Sequence, residues 1–164
     1  MKKYFKFLFV LVALMLFLTA CGNRSLYPSK TDLSNERGLE MLVGKIDWRP
    51  YKLEAYKVKN QILEIKLSGE SDISQDEAAK AGFIYGVILL ILTDAEEVRY
   101  TGEDLYFGFI DKDLANEALK IKYGKEVDDY KKSQEDFDNL IERLKNEKFE
   151  TGAAKFEMME WRLF

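Results

Sequence analysis

The stretch "AGFIYGVILLIL", Ala81–Leu92, carries no charge and lies in the middle of the chain. Whether it spans a bilayer or fills a core decides the fold. A helix that crosses the hydrocarbon layer needs about 20 apolar residues. Going back from Ala81 the run meets Lys80, and going forward it meets Asp94, Glu96 and Glu97. In front of it stands Ser74-Gln75-Asp76-Glu77, the pattern of a capping box. The Ser74 hydroxyl accepts from the third helical amide, and the Glu77 carboxylate reaches back to the amide of Ser74. Acidic residues in the first turn also suit the positive end of the helix. That chemistry starts a helix in water. The run is therefore expected to be a helix from Gln75 to about Leu92, buried inside a folded domain. Gly82 and Gly86, four apart, occur at the spacing that pairs membrane helices. Here they would let the helix lie close against a sheet.

The elements on either side follow from local patterns. Ser34 can cap a helix over about 35–44, with Leu39, Leu42 and Val43 at helical spacing, ending before Pro50. "KLEAYKV" (52–58) and "ILEIKL" (62–67) read as two strands joined through Lys59-Asn60-Gln61. After the central helix, 97–101 and 105–110 read as two more strands, with Gly102-Glu103-Asp104 as their turn. Asp111 or Asp113 caps a helix over 114–123 that Gly124 closes. "KEVDDYKK" (125–132) reads as a polar connection. Ser133 opens a last helix, with Phe137, Leu140, Ile141 and Leu144 on one face. The tail, 148–164, fits neither strand nor helix uniquely, and its ending Trp161-Arg162-Leu163-Phe164 suggests docking on an apolar surface. The fold class expected is α+β: an antiparallel sheet of about four strands, helices packed on one face, and one nearly fully buried central helix.

The chain has 164 residues, room for about one domain. At 47% hydrophobic and 33% charged it can build both a core and a solvated surface. It has no histidine and one cysteine, Cys21. Within the chain this excludes a Ser-His-Asp triad, a Cys-His dyad, a His-containing zinc site and an internal disulfide. The formal net charge is −4, and three of its basic residues, Lys2, Lys3 and Lys6, precede Cys21. Phosphate would repel such a domain, so nucleic acid is not an expected partner.

A second apolar run, "KFLFVLVALMLFLTAC", Lys6–Cys21, reads differently from the central one. The basic Lys2, Lys3 and Lys6 precede an apolar stretch over 7–18, short for a membrane span but fitting a secretory signal. It ends in Leu18-Thr19-Ala20-Cys21, which resembles the lipobox of bacterial lipoproteins. The resemblance implies transfer of diacylglycerol to the Cys21 sulfur, cleavage before Cys21, and attachment to the outer, extracytoplasmic face of the cell membrane. Two acyl chains anchor stably where one does not. Residues 1–20 are then a cleaved signal peptide, 21–34 a lipidated N-terminus and flexible tether, 35–147 the α+β domain, and 148–164 the tail.

The mature part resembles, over about 35–144, an uncharacterised extracytoplasmic domain family of Gram-positive lipoproteins and membrane-anchored proteins. The matching residues are Val98 and Tyr100; Tyr106, Phe107 and Phe109; Gly124, Glu126 and Val127; and Ser133, Glu135 and Phe137. The resemblance implies a compartment and a fold, with no assigned activity.

Catalysis without histidine or a free thiol would fall to carboxylates, Lys, Tyr or Ser. The acidic clusters Asp94/Glu96/Glu97, Glu103/Asp104, Asp111/Asp113 and Asp128/Asp129 have simpler roles as caps, turns and solvated connections. A glycosidase needs two carboxylates across a cleft, and calcium at Asp111 and Asp113 would lack the EF-hand glycine and terminal Glu. No catalytic residue, metal or cofactor is expected. Tyr100, Tyr106, Phe107 and Phe109 are the candidate binding surface for a sugar or peptide, against the alternative that they are core and cross-strand pairs. The functional expectation is a lipoprotein that binds or senses an envelope protein or a cell-wall component. The alternatives are a small carboxylate-dependent cell-wall hydrolase and an immunity or inhibitor lipoprotein.

Overall fold

The computed structural model describes residues 25–69, 74–102 and 108–147. Cys21, the signal segment and the tail lie outside them, as do Glu103, Asp104, Tyr106 and Phe107. After a 3-10 turn at Tyr27–Ser29, the elements are α1 (Glu36–Lys45), β1 (Tyr51–Lys59), β2 (Ile62–Gly69), α2 (Gln75–Leu92), β3 (Glu97–Thr101), β4 (Phe109–Asp111), α3 (Lys112–Tyr123), α4 (Val127–Tyr130) and α5 (Gln134–Asn146). The class is α+β.

The four strands form one sheet in the order β1-β2-β3-β4. β1–β2 and β3–β4 are antiparallel, but β2 and β3 run parallel, with Leu63 opposite Val98 and Ile65 opposite Tyr100. The expectation of an antiparallel sheet is corrected here: the sheet is mixed. The reason lies in the connection. Between β2 and β3 the chain crosses back through the whole of α2, and a helical crossover returns the next strand in the same direction. The β1–β2 turn uses Asn60 at φ 57°, a left-handed conformation that asparagine tolerates.

α2 starts as its capping box dictates. The Ser74 hydroxyl accepts from the Glu77 amide, and the Glu77 carboxylate accepts from the Ser74 amide. Every residue from Gly82 to Thr93 is buried. On one side α2 meets the sheet through its glycines. The Tyr100 hydroxyl donates to the Gly82 carbonyl at 2.9 Å. A Cβ placed on Gly86 would sit 2.0 Å from the Ile110 Cγ2. The close helix-to-sheet approach expected from the Gly82/Gly86 spacing is therefore present. Leu63, Ile65 and Leu67 of β2, with Val98, Tyr100 and Ile110, complete that wall of the core. Among the described residues no helix is long and apolar enough to cross a membrane.

Three local expectations are revised. Asn35, one residue after Ser34, caps α1, because its side-chain oxygen reaches the Gly38 amide. The polar connection at 125–132 contains α4, whose Val127 and Tyr130, three apart, are buried while Asp128 stays at the surface. Residues 25–34, expected as tether, are docked on the domain. The Ser25 hydroxyl donates to Asp138 at 2.5 Å, and the Tyr27 hydroxyl donates to the Lys131 carbonyl at 2.6 Å. The Thr31 amide donates to the Leu92 carbonyl, and Leu33 is 7% exposed. The segment looked polar in sequence. Its three apolar residues, Leu26, Tyr27 and Leu33, nevertheless all pack against the core.

Candidate functional site

Of the four aromatic residues considered as a binding surface, Tyr100 and Phe109 are among the described residues, and Tyr100 follows the alternative of a core position. Side chains on a strand alternate between faces. Tyr100 points inward, 5% exposed, with its hydroxyl on the Gly82 carbonyl. Burial, and then the neighbouring Tyr85, push its phenol well above the usual range. Phe109 lies opposite Arg99 in the ladder and is 44% exposed on the outer face. Tyr100 and Phe109 thus occupy opposite faces of the sheet. Tyr106 and Phe107 lie outside the described residues.

The acidic clusters separate into structural tasks. Asp94 accepts from the Leu33 amide at 2.6 Å, and so helps hold the docked N-terminal segment. Asp111 caps α3 through the Leu114 amide. Glu97 pairs with Arg99, and Glu96 and Asp128 pair with Lys112. Asp129 accepts from the Glu126 amide at the start of α4. Among the described residues no group of three or more His, Cys, Asp or Glu could hold a metal ion.

The described residues also form a concave feature with a buried floor that no sequence motif indicated. It is a groove of about 300 Å³ between α2, the loop after α1 and the end of α5. Its apolar floor comes from Leu26, Ile46, Ala81, Ile84 and Ile88. These α2 residues lie on the flank turned away from Gly82 and Gly86, so the groove and the sheet occupy different sides of one helix. Asp47, Arg49, Glu77, Lys80 and Lys145 give it a charged rim.

The loop that forms one wall is held firmly. Trp48 is buried, its indole donates to the Val43 carbonyl at 3.0 Å, and its ring lies 4.9 Å from that of Tyr85. The Tyr85 hydroxyl donates to the Arg49 carbonyl at 2.6 Å. Arg49 closes on Asp47 as an ion pair. The hydrogen bond from Arg49 holds the Asp47 carboxyl below its usual range, and Lys145 adds to that pull. Across the groove, Lys80 donates to the carbonyls of Lys145 and Glu147 at 2.7 and 2.6 Å. It thereby satisfies two carbonyls that the end of α5 would leave unpaired.

Such a site suits a ligand with an apolar body and an ionic end. Asp47 is a poor general acid, because its neighbour stabilises the charged form. A second recess, about 740 Å³, lies between α1 and β1. It is lined by exposed Val58 and the charged Glu36, Arg37 and Glu40, and offers less buried apolar surface.

No motif marks the groove, because its walls come from positions 26, 46–50, 77–88 and 145, far apart in the chain. Comparisons with protein-family models, curated proteins and solved structures find no match to this chain. The functional reading rests on its residues and geometry.

Proposed function

We propose that the chain is an exported bacterial lipoprotein, anchored through lipid on Cys21 to the outer face of the cell membrane, whose domain binds rather than catalyses. The observation that carries this is Leu18-Thr19-Ala20-Cys21 directly after an apolar run with a basic start. The carboxylates of the described domain support the binding half. Asp111 serves as a cap, Glu96, Glu97 and Asp128 as ion-pair partners, and Asp47 is stabilised in its charged form. The partner is a neighbouring envelope protein or a cell-wall component, consistent with an acidic chain that disfavours nucleic acid.

Metabolic labelling with a fatty-acid analogue tests the anchor. The wild type takes up label and stays with the membrane, and Cys21→Ser takes up none and is not processed. If Cys21→Ser were processed and retained like the wild type, the reading would fall.

One observation favours a second reading, a carboxylate-dependent cell-wall hydrolase: Asp47 and Glu77 line the same groove. Release of wall fragments by the purified protein, abolished in both Asp47→Asn and Glu77→Gln, would establish it. Absence of turnover leaves the binding reading in place.

A further inference from the structure

The docking of residues 25–34 changes what a lipid on Cys21 would do to the domain. Gly22, Asn23 and Arg24 separate Cys21 from Ser25. An extended chain spans at most about 3.6 Å per residue, so Ser25 lies within roughly 14 Å of the anchored residue. Ser25 is not loose. It donates to Asp138, and two residues later Tyr27 donates to the Lys131 carbonyl and packs on Phe137, with ring centroids 5.8 Å apart. The domain is therefore carried on a short leash by a fixed point of its own surface. Leu26, next to that point, is part of the groove floor. A lipid on Cys21 would therefore keep the groove within reach of the headgroup layer, whereas the outer sheet face lies on the far side of α2.

The groove's chemistry matches that position. Leu26, Ile46, Ala81, Ile84 and Ile88 offer apolar surface. At the rim Arg49 and Asp47 neutralise each other, which leaves Lys80 and Lys145 against Glu77, a locally basic edge on a chain whose net charge is −4. Basic side chains over an apolar surface favour an anionic membrane interface. We infer that this groove is the membrane-facing surface of the domain and receives anionic phospholipid from the bilayer that holds the anchor. The inference rests on the lipoprotein reading above.

The single cysteine makes a test that separates the two. The full-length protein, processed in cells and purified from membranes, is reconstituted into phosphatidylglycerol vesicles containing a spin-labelled quencher lipid. A thiol fluorophore is placed on Lys145→Cys at the groove rim or on Lys66→Cys on the outer sheet face, both exposed positions. A chain with no added cysteine takes no fluorophore if lipid occupies the Cys21 sulfur. Labelling of that chain would sink the anchor reading on its own. With the anchor intact, quenching at position 145 is expected to exceed that at 66 several-fold. The same label on Asn146→Cys, an exposed neighbour that leaves the rim lysines in place, should show the same excess and lose part of it when phosphatidylcholine replaces the anionic lipid. Equal quenching at the two sites, or the same excess in both lipids, would overturn the inference. A photoreactive label at position 145 should yield adducts with phospholipid. Adducts with the 148–164 segment or with a second protein would overturn it as well.

Discussion

α2 and α5 begin alike and end alike, yet they live in different surroundings. Each opens on a serine whose hydroxyl accepts from the third helical amide, Ser74 from Glu77 and Ser133 from Asp136. The end of each is also tied by a lysine from another part of the chain. Lys131 donates to the Thr93 carbonyl just past α2, and Lys80 donates to carbonyls at the end of α5. Their sides differ. α2 is apolar all round and buried from Gly82 onward, whereas α5 buries only Phe137, Leu140, Ile141 and Leu144. The difference teaches that caps place a helix end, and that the width of the apolar surface sets how deep the helix sits.

The contrast is broken most forcefully at the buried sides. Leu90 has no exposure. Leu90→Ala should cost about 2–5 kcal/mol by denaturant unfolding, as large-to-small core changes do. Glu142→Ala, on the exposed side of α5, should stay within about 0.5 kcal/mol. Equal losses would mean that α2 is not the inner helix. Next is the contact with the sheet. Gly86→Ala drives a methyl into Ile110, so a loss of about 1–3 kcal/mol is expected from overpacking. Pairing it with Ile110→Ala, which removes the Cγ2 that the new methyl meets, should cost less than the sum of the two single changes, and a Gly86→Ala protein as stable as the parent would refute the close approach.

The shared starts give a smaller and equal effect. Ser74→Ala and Ser133→Ala should each cost about 1 kcal/mol, read from their thermal midpoints. A markedly larger cost at Ser74 would show that burial amplifies a cap.

The smallest effect concerns the lysine at the end of α2. Burial pushes the Lys131 ammonium below the usual lysine range, against the pull of Asp128. Burial works to raise the Asp128 carboxyl, but the hydrogen bond and charge of Lys112, together with Lys131, outweigh it and hold that carboxyl below 3.8. Between the folded and unfolded values of the Asp128 carboxyl, the folded protein then binds fewer protons there than the unfolded chain. The stability contributed is present above the unfolded value and is lost as pH falls through the folded one. Denaturant midpoints against pH should decline below about pH 4, and Asp128→Asn should make that decline shallower. An unchanged slope would remove Asp128 from the acid response.

Much of this was legible because it is local. The capping box at Ser74, the stripe on α5, the left-handed Gly124 at φ 73° and the Asp111 cap all act within four or five residues. Even the role of Gly82 and Gly86 could be read, since their spacing is itself the approach surface. The groove could not be read, because its floor joins Leu26 and Ile46 to α2. Which face each aromatic residue takes could not be read for a related reason. Residue type marked Tyr100 and Phe109 alike, but strand register sends one to the Gly82 carbonyl and the other to solvent opposite Arg99.

By itself the sequence determined the longer helices and the β1–β2 hairpin, that α2 is a core element, and that Cys21 stands in a lipobox-like setting. Periodicity, caps and short motifs are properties of neighbouring residues, and neighbours are what a sequence lists. Tertiary structure alone decided that β2 and β3 run parallel, that residues 25–34 dock instead of dangling, and that Lys80 and Lys131 close helix ends 38 to 67 residues away. Each of these depends on unpaired polar groups and apolar surface finding partners in space, and burial rewards that pairing whatever the distance along the chain.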